Sequence, residues 1–368
     1  MHKVPKHIRL FTCWVALLFT ASSLNVACGQ IQISQFGSSL FILGTAGDEN
    51  VGILNWSELD TDIEIRNYNG QQVQSLYFSN VENIYIDLLE GNNVVQCPGW
   101  AVNVFTTVVG DLEIQTRQGL DWFSLAGITV GGHLVINAGD GNNQFTYGMC
   151  HISGDLTITS GSGQDTMNWG LGAEKAGGEI FGNVSIRTGG QIDGVEFRRF
   201  TLHGNLYFDA GDGNDSCKLN ETTFGNFEFI GGIGDDWFRA EFANSGNSLL
   251  LSTGSGVDNI VISDLFVTTR LDVGSGSQAD TISLNDVETP GTFKMSTGTH
   301  NDSVALSHLN VNNLVVDLSG GNDSLNLTSC QSATSELAGG VGTDSGTKSN
   351  CLLGNPATVT GFESGNLN

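Results

Sequence analysis

One motif recurs along most of this chain and constrains its fold more than any other feature. Gly-x-Gly-x-Asp-x-apolar places its Asp or Asn at Asn93, Asp121, Asn143, Asp165, Asp193, Asp215, Asp236, Asp258, Asp280, Asp302, Asp323 and Asp344. Successive gaps are 28, 22, 22, 28, 22, 21, 22, 22, 22, 21 and 21 residues, so the two long gaps are the same period with six residues inserted. A fixed period of this size marks a stacked repeat architecture.

With the Asp or Asn as position zero, an apolar residue follows two positions later: Val95, Phe123, Phe145, Met167, Val195, Cys217, Phe238, Ile260, Ile282, Val304 and Leu325. Pairs such as Ile84/Ile86, Leu134/Ile136, Leu206/Phe208 and Leu314/Val316 precede it by nine and seven residues. Pairs such as Ile128/Val130, Phe200/Leu202 and Leu265/Val267 follow by seven and nine. Each is a period-2 alternation, the signature of a strand with one buried face. Three short strands cannot bury that face within one repeat, but stacked repeats bury it along a common interior. The pattern predicts a right-handed parallel β-helix of about 12–14 coils with 21–22 residues per coil. It forms a single domain over 30–368, with degenerate coils at 38–90 around Glu49 and Gln72, regular coils at 91–330 and a cap at 331–368. Asp344 lacks the apolar residue two positions on, which is why the end reads as a cap.

Residues 1–29 read as a secretory signal: Lys3, Lys6 and Arg9 precede an apolar run, Leu10–Leu24, too short to span a bilayer. Ala27-Cys28-Gly29 supplies a small-x-small cleavage site. A lipid anchor on Cys28 is the alternative, which Asn25-Val26-Ala27 fits poorly. No later run is long and apolar enough for a transmembrane segment, so the expected location is secreted or cell-surface. Removal of 1–29 leaves 11 basic against 39 acidic residues, a net of −28. That charge speaks against nucleic acid, whose phosphates need Lys and Arg, and against acidic membranes.

The mature chain holds five Cys. Cys330 and Cys351 both lie seven residues after their anchors, so register places them on adjacent coils and predicts a disulfide. Cys97, Cys150 and Cys217 fall on inward positions of separated coils and read as buried thiols. The His residues share no metal-ligand spacing.

From Asp165 onward the anchor is Asp in every coil: Asp165, Asp193, Asp215, Asp236, Asp258, Asp280, Asp302, Asp323 and Asp344. Stacked carboxylates about 5 Å apart repel by roughly 1 kcal/mol per pair in water, and by more where desolvated. Two solutions stand open: Ca²⁺ held between corners by Asp carboxylates and turn carbonyls, or Asp side chains that accept from backbone N–H groups of the turn. Asn93 and Asn143 suit either.

Gly231-Gly232-Ile233-Gly234-Asp235-Asp236-Trp237-Phe238-Arg239 resembles the nonapeptide of the RTX (hemolysin-type) calcium-binding family of exported bacterial proteins. Gly211–Cys217 and Gly320–Leu325 match its core. The resemblance implies Ca²⁺ as cofactor, bound at the Asp row. RTX proteins run their nonapeptides in tandem, two per coil, and carry a C-terminal export signal. This chain has one motif per 21–22 residues and an N-terminal signal.

Many β-helices act on polysaccharides in a groove along the rod, and here the outward candidates are Arg187, Asp209 and Glu228. A solvated ion pair is the plainer account of Arg187 beside Asp209. One and three residues after the anchor lie Trp122, Trp237, Asn168, Glu196, Lys218 and Arg239, where exposed Trp faces among polar neighbours suit stacking on sugar rings. The six-residue insertions, within 97–109 and 171–181, leave the coil near this side. The expected function is a non-catalytic structural, adhesive or glycan-binding solenoid whose partner is a polysaccharide or cell-surface component. The alternative is a polysaccharide lyase or glycosidase.

Overall fold

The structure, a computed structural model, describes residues 24–28, 31–57, 60–66, 72–97, 106–170, 177–354 and 357–367. Most of the expected export segment lies outside these residues. The same is true of the insertion loops over 98–105 and 171–176.

Among the described residues the chain is all β, with no helix, and its parallel coils stack into a solenoid of about 11 turns. Three parallel ladders run along it. In the first, Leu112–Gln115 pairs with Leu134–Gly139, which pairs with Leu156–Ser160 and so on to Gln331–Ala338. The second carries Phe123, Phe145, Met167, Val195, Cys217 and Phe238 in strict register. The third carries Ile128, Val130 and Ile152 through Phe200 and Leu202. All of these side chains are buried. Because side chains alternate across each strand, equal spacing in sequence becomes vertical alignment in space. Aromatic residues then stack coil on coil, as Phe123 on Phe145 at 4.8 Å and Tyr147 on Trp169 at 4.0 Å.

The N-terminal end departs from expectation. The strands β1 (Leu24–Cys28), β2 (Ile31–Phe36) and β3 (Ser39–Leu43) form an antiparallel meander. Next come β4 (Asn50–Ser57), β5 (Asp60–Arg66) and β6 (Gln72–Phe78), also antiparallel. Only β3 and β4 lie on the solenoid, pairing in parallel with β7 (Asn83–Asp87) and β8 (Val94–Gln96). Residues 38–90 therefore hold one coil, at Glu49, and Gln72 belongs to a hairpin excursion instead of a coil. The excursion pairs with itself, so its alternation mimics a repeat without stacking on one.

At the other end, Gly346 stands where a core side chain would be, and a Cβ there would lie 1.9 Å from Leu367 Cδ1. Leu367 and Phe362, both buried, fold back to fill that layer. This closes the core from the C-terminal side.

Candidate functional site

The most regular residue row turns inward. The backbone N–H of each anchor donates to Oδ1 of the anchor one coil on: Asp165 to Asp193 at 2.7 Å, Asp193 to Asp215 at 2.7 Å, Asp215 to Asp236 at 2.8 Å, and so on through Asp323 to Asp344 at 2.8 Å. Upstream the same bond links Glu49 to Asn93, Asn93 to Asp121, Asp121 to Asn143 and Asn143 to Asp165. Downstream, Asp344 N–H donates to Glu363 Oε2 at 2.7 Å. The ladder is thus unbroken from Glu49 to Glu363.

The second oxygens are placed very differently. Oδ2 of ten Asp residues, from Asp121 to Asp344, is buried without a hydrogen-bond partner. Desolvation pushes Asp193 and Asp236 up to about 7, with repulsion from flanking Asp carboxylates adding to it. It pushes Asp165, Asp215, Asp280 and Asp323 up to about 6.

Calcium needs six or more oxygens around one point. Among the described residues no group of three or more His, Cys, Asp or Glu is arranged to hold a metal ion. Oδ1 of each of Asp165, Asp193, Asp215, Asp236, Asp258, Asp280, Asp302 and Asp323 is taken by a backbone N–H. The row so built does not fit the calcium corner that the resemblance implies, and its geometry is that of intercoil capping.

Two further rows were not singled out in the sequence, although their period is legible there. One position before the anchor, Asn92, Asn142, Asn214, Asp235, Asn301 and Asn322 accept from the backbone N–H of the following coil. Ten positions before it, Asn83, Asp111, His133, Asp155 and Asn183 do the same. These point from coil to coil in the opposite sense to the inner ladder.

The six residues expected to meet sugars do share one outward face. Trp122 and Trp237 lie in one column, separated by Gln144, Thr166, Gly194 and Ser216. Five strand spacings put them about 24 Å apart. Asn168, Glu196, Lys218 and Arg239 occupy four successive rungs of the neighbouring column. Lys218 pairs with Glu196 at 3.1 Å, and the Arg239 guanidinium sits 5.9 Å from the Trp237 ring centre. Both indoles are open to solvent, Trp122 at 48% and Trp237 at 36% exposure, so their faces are available.

The catalytic candidates lie on the outward face of the first ladder. The Arg187 guanidinium sits 4.8 Å over the Tyr207 ring and donates to Ser185 Oγ. Asp209 accepts from the Tyr207 hydroxyl at 3.2 Å. Both side chains are engaged by structural neighbours. Glu228 stacks on Tyr207 one coil on, at one end of a shallow concavity of about 310 Å³ with Leu250, Arg270, Asp272 and Lys294.

The expected Cys330–Cys351 disulfide is not formed; both are free thiols, as are Cys97, Cys150 and Cys217. Cys330 lies in the core with Sγ against the Leu306 carbonyl, whereas Cys351 Sγ accepts from Cys330 N–H at 3.3 Å. The strand spacing of about 4.8 Å lies within the Cα separation that a disulfide tolerates, but the two sulfurs point differently, Cys330 Sγ into the core and Cys351 Sγ toward the Cys330 N–H.

No protein-family model and no curated protein matches this chain. Among the described residues, no helix is long and apolar enough to cross a membrane.

Proposed function

We propose that the protein is an exported, non-catalytic β-solenoid with a structural or adhesive role outside the cell or at its surface, and that its Trp122–Trp237 face contacts glycans. The observation that carries this reading is the use of the repeated motif. Its Asp or Asn is buried in every regular coil and joins coils, while the outward columns carry mainly short polar side chains. Such a chain is built to be long and rigid, with one surface differentiated by aromatics.

Five coil steps between the two indoles match the reach of a short oligosaccharide lying along the solenoid axis. The small residues between them, Gly194 above all, leave that path open. Affinity electrophoresis in gels containing neutral and acidic polysaccharides tests the reading. Retardation by one polysaccharide class is expected, and Trp122→Ala with Trp237→Ala should abolish it. The lyase alternative predicts unsaturated product from the same polysaccharides, lost on Arg187→Ala. Absence of both retardation and product would leave only the structural role.

A further inference from the structure

The orphaned Oδ2 atoms have an environment that can be read from the two Asn rungs. In Asn143, Oδ1 plays the ladder role and Nδ2 donates to the Gly141 carbonyl at 3.1 Å. In Asn93, Nδ2 donates likewise to the Gly91 carbonyl at 3.2 Å. The slot of the second atom is thus lined by a carbonyl oxygen and is filled, in these two coils, by a donor. The Asp rungs put Oδ2 in that same slot.

The other neighbour is also an acceptor. Five residues before the anchor, six coils carry a hydroxyl beside the carboxyl: Thr116, Ser160, Thr188, Thr253, Ser275 and Thr297. Each donates its proton to a carbonyl one coil on, as Thr188 to Ala210 and Thr297 to Leu318, both at 2.9 Å. What remains toward the Asp is an oxygen lone pair. An ionised Oδ2 would therefore meet mainly oxygen lone pairs and other Asp carboxylates, with an Asn side chain beside only Asp121 and Asp165.

We propose that the inner row is a ladder of neutral carboxylic acids, each accepting through Oδ1 and donating through a protonated Oδ2, and that it works as a pH-sensitive clamp between coils. The charged groups that act on the row are its own flanking Asp residues, with Asp48, Asp212 and Asp235 from the corners; the imidazole of His300 lies beside Asp302. No Lys or Arg among the described residues is recorded as neutralising it. The burial-raised pKa values accord with this geometry.

The sign of the linkage follows. Folded pKa values near 6 to 7 lie above the unfolded value of 3.8, so the rungs stabilise the fold fully below about pH 4. That contribution is lost as pH rises through the folded values. With the six rungs at about 6 to 7 neutral, the formal charge is −19 instead of −25.

Infrared spectroscopy and thermal melting of the purified protein test the clamp. The carbonyl absorption of protonated carboxyl groups in a water-excluded site is expected at about pH 5 and should fade by about pH 8, with Tm falling by roughly 5 °C or more over that range. Asp236→Asn with Asp258→Asn supplies two permanent donors. The variant should match or exceed the parent at the alkaline end and lose part of the pH dependence. Three results would each overturn the proposal: no such absorption at acid pH, failure of the Asn variant to fold, or a rise in Tm with millimolar Ca²⁺ at about pH 8 that the variant loses. The last would make the row an ionised cation ladder.

Discussion

At the scale of single residues, two backbone devices turn the coil, and they predict opposite mutational outcomes. The motif corner uses glycine in most coils: Gly234 has φ +142°, and a Cβ on it would lie 1.8 Å from the Gly213 carbonyl oxygen of the coil before, whereas Gln191, Gln278 and His300 hold the equivalent position at φ 80–83°. Gly234→Ala should cost about 3 kcal/mol or more, read from the midpoint of chemical unfolding. Six residues after the anchor the chain again turns left-handed, but with ordinary side chains: Arg199, Glu221, Phe242, Asp264, Asp286 and His308 all have φ between 50° and 58°. Phe242 is exposed as well as strained. Phe242→Gly should stabilise the protein by about 0.5–1 kcal/mol, measured in the same way. The glycine corner was legible because glycine, which adopts this conformation most freely, recurs there. The second corner was not, since its conformation is imposed by the strands on either side and leaves no residue signature.

At the scale of strands and ladders, vertical alignment decides both packing and chemistry. Phe145 is fully buried with its ring on Phe123, and truncation leaves a hole that rigid neighbours above and below cannot fill. Phe145→Ala should destabilise by about 3–5 kcal/mol, checked by denaturant titration. Alignment alone does not make the disulfide read from the sequence. Equal positions in adjacent repeats do place Cys330 and Cys351 one above the other, but Cys330 turns its Sγ into the core while Cys351 Sγ faces the Cys330 N–H. Alkylation of the native protein should therefore label Cys351, which is partly exposed. Cys330 should stay protected, being buried with its thiol pushed up to about 11. Mass analysis of the two peptides under non-reducing conditions distinguishes this from a bridged pair, in which neither would label.

At the scale of the whole molecule, coils touch mainly their neighbours, so stability is close to a sum of local terms and the ends matter most. Leu367 and Phe362 seal the core layer that Gly346 leaves open. Deletion of 357–368 should raise amide exchange most in the strand Ser345–Ser349 and progressively less toward the N-terminus, as followed by hydrogen-exchange mass spectrometry. A deletion that melted every coil together would show that the solenoid unfolds as one cooperative unit.

The sequence by itself determined the solenoid, its period, its inward residues and the position of the Asp row, because a repeat that aligns side chains needs no long-range information beyond its own spacing. Only the tertiary structure decided how residues 38–90 are shared between a coil and a hairpin, since both give the same alternation. It also decided what the Asp row does. Composition shows only a line of carboxylates, whereas the partners of Oδ1 and Oδ2 depend on which atoms of the next coil stand opposite them. Here that atom is a backbone N–H for Oδ1, while Oδ2 is buried without a hydrogen-bond partner, and no reading of spacing alone separates the two oxygens.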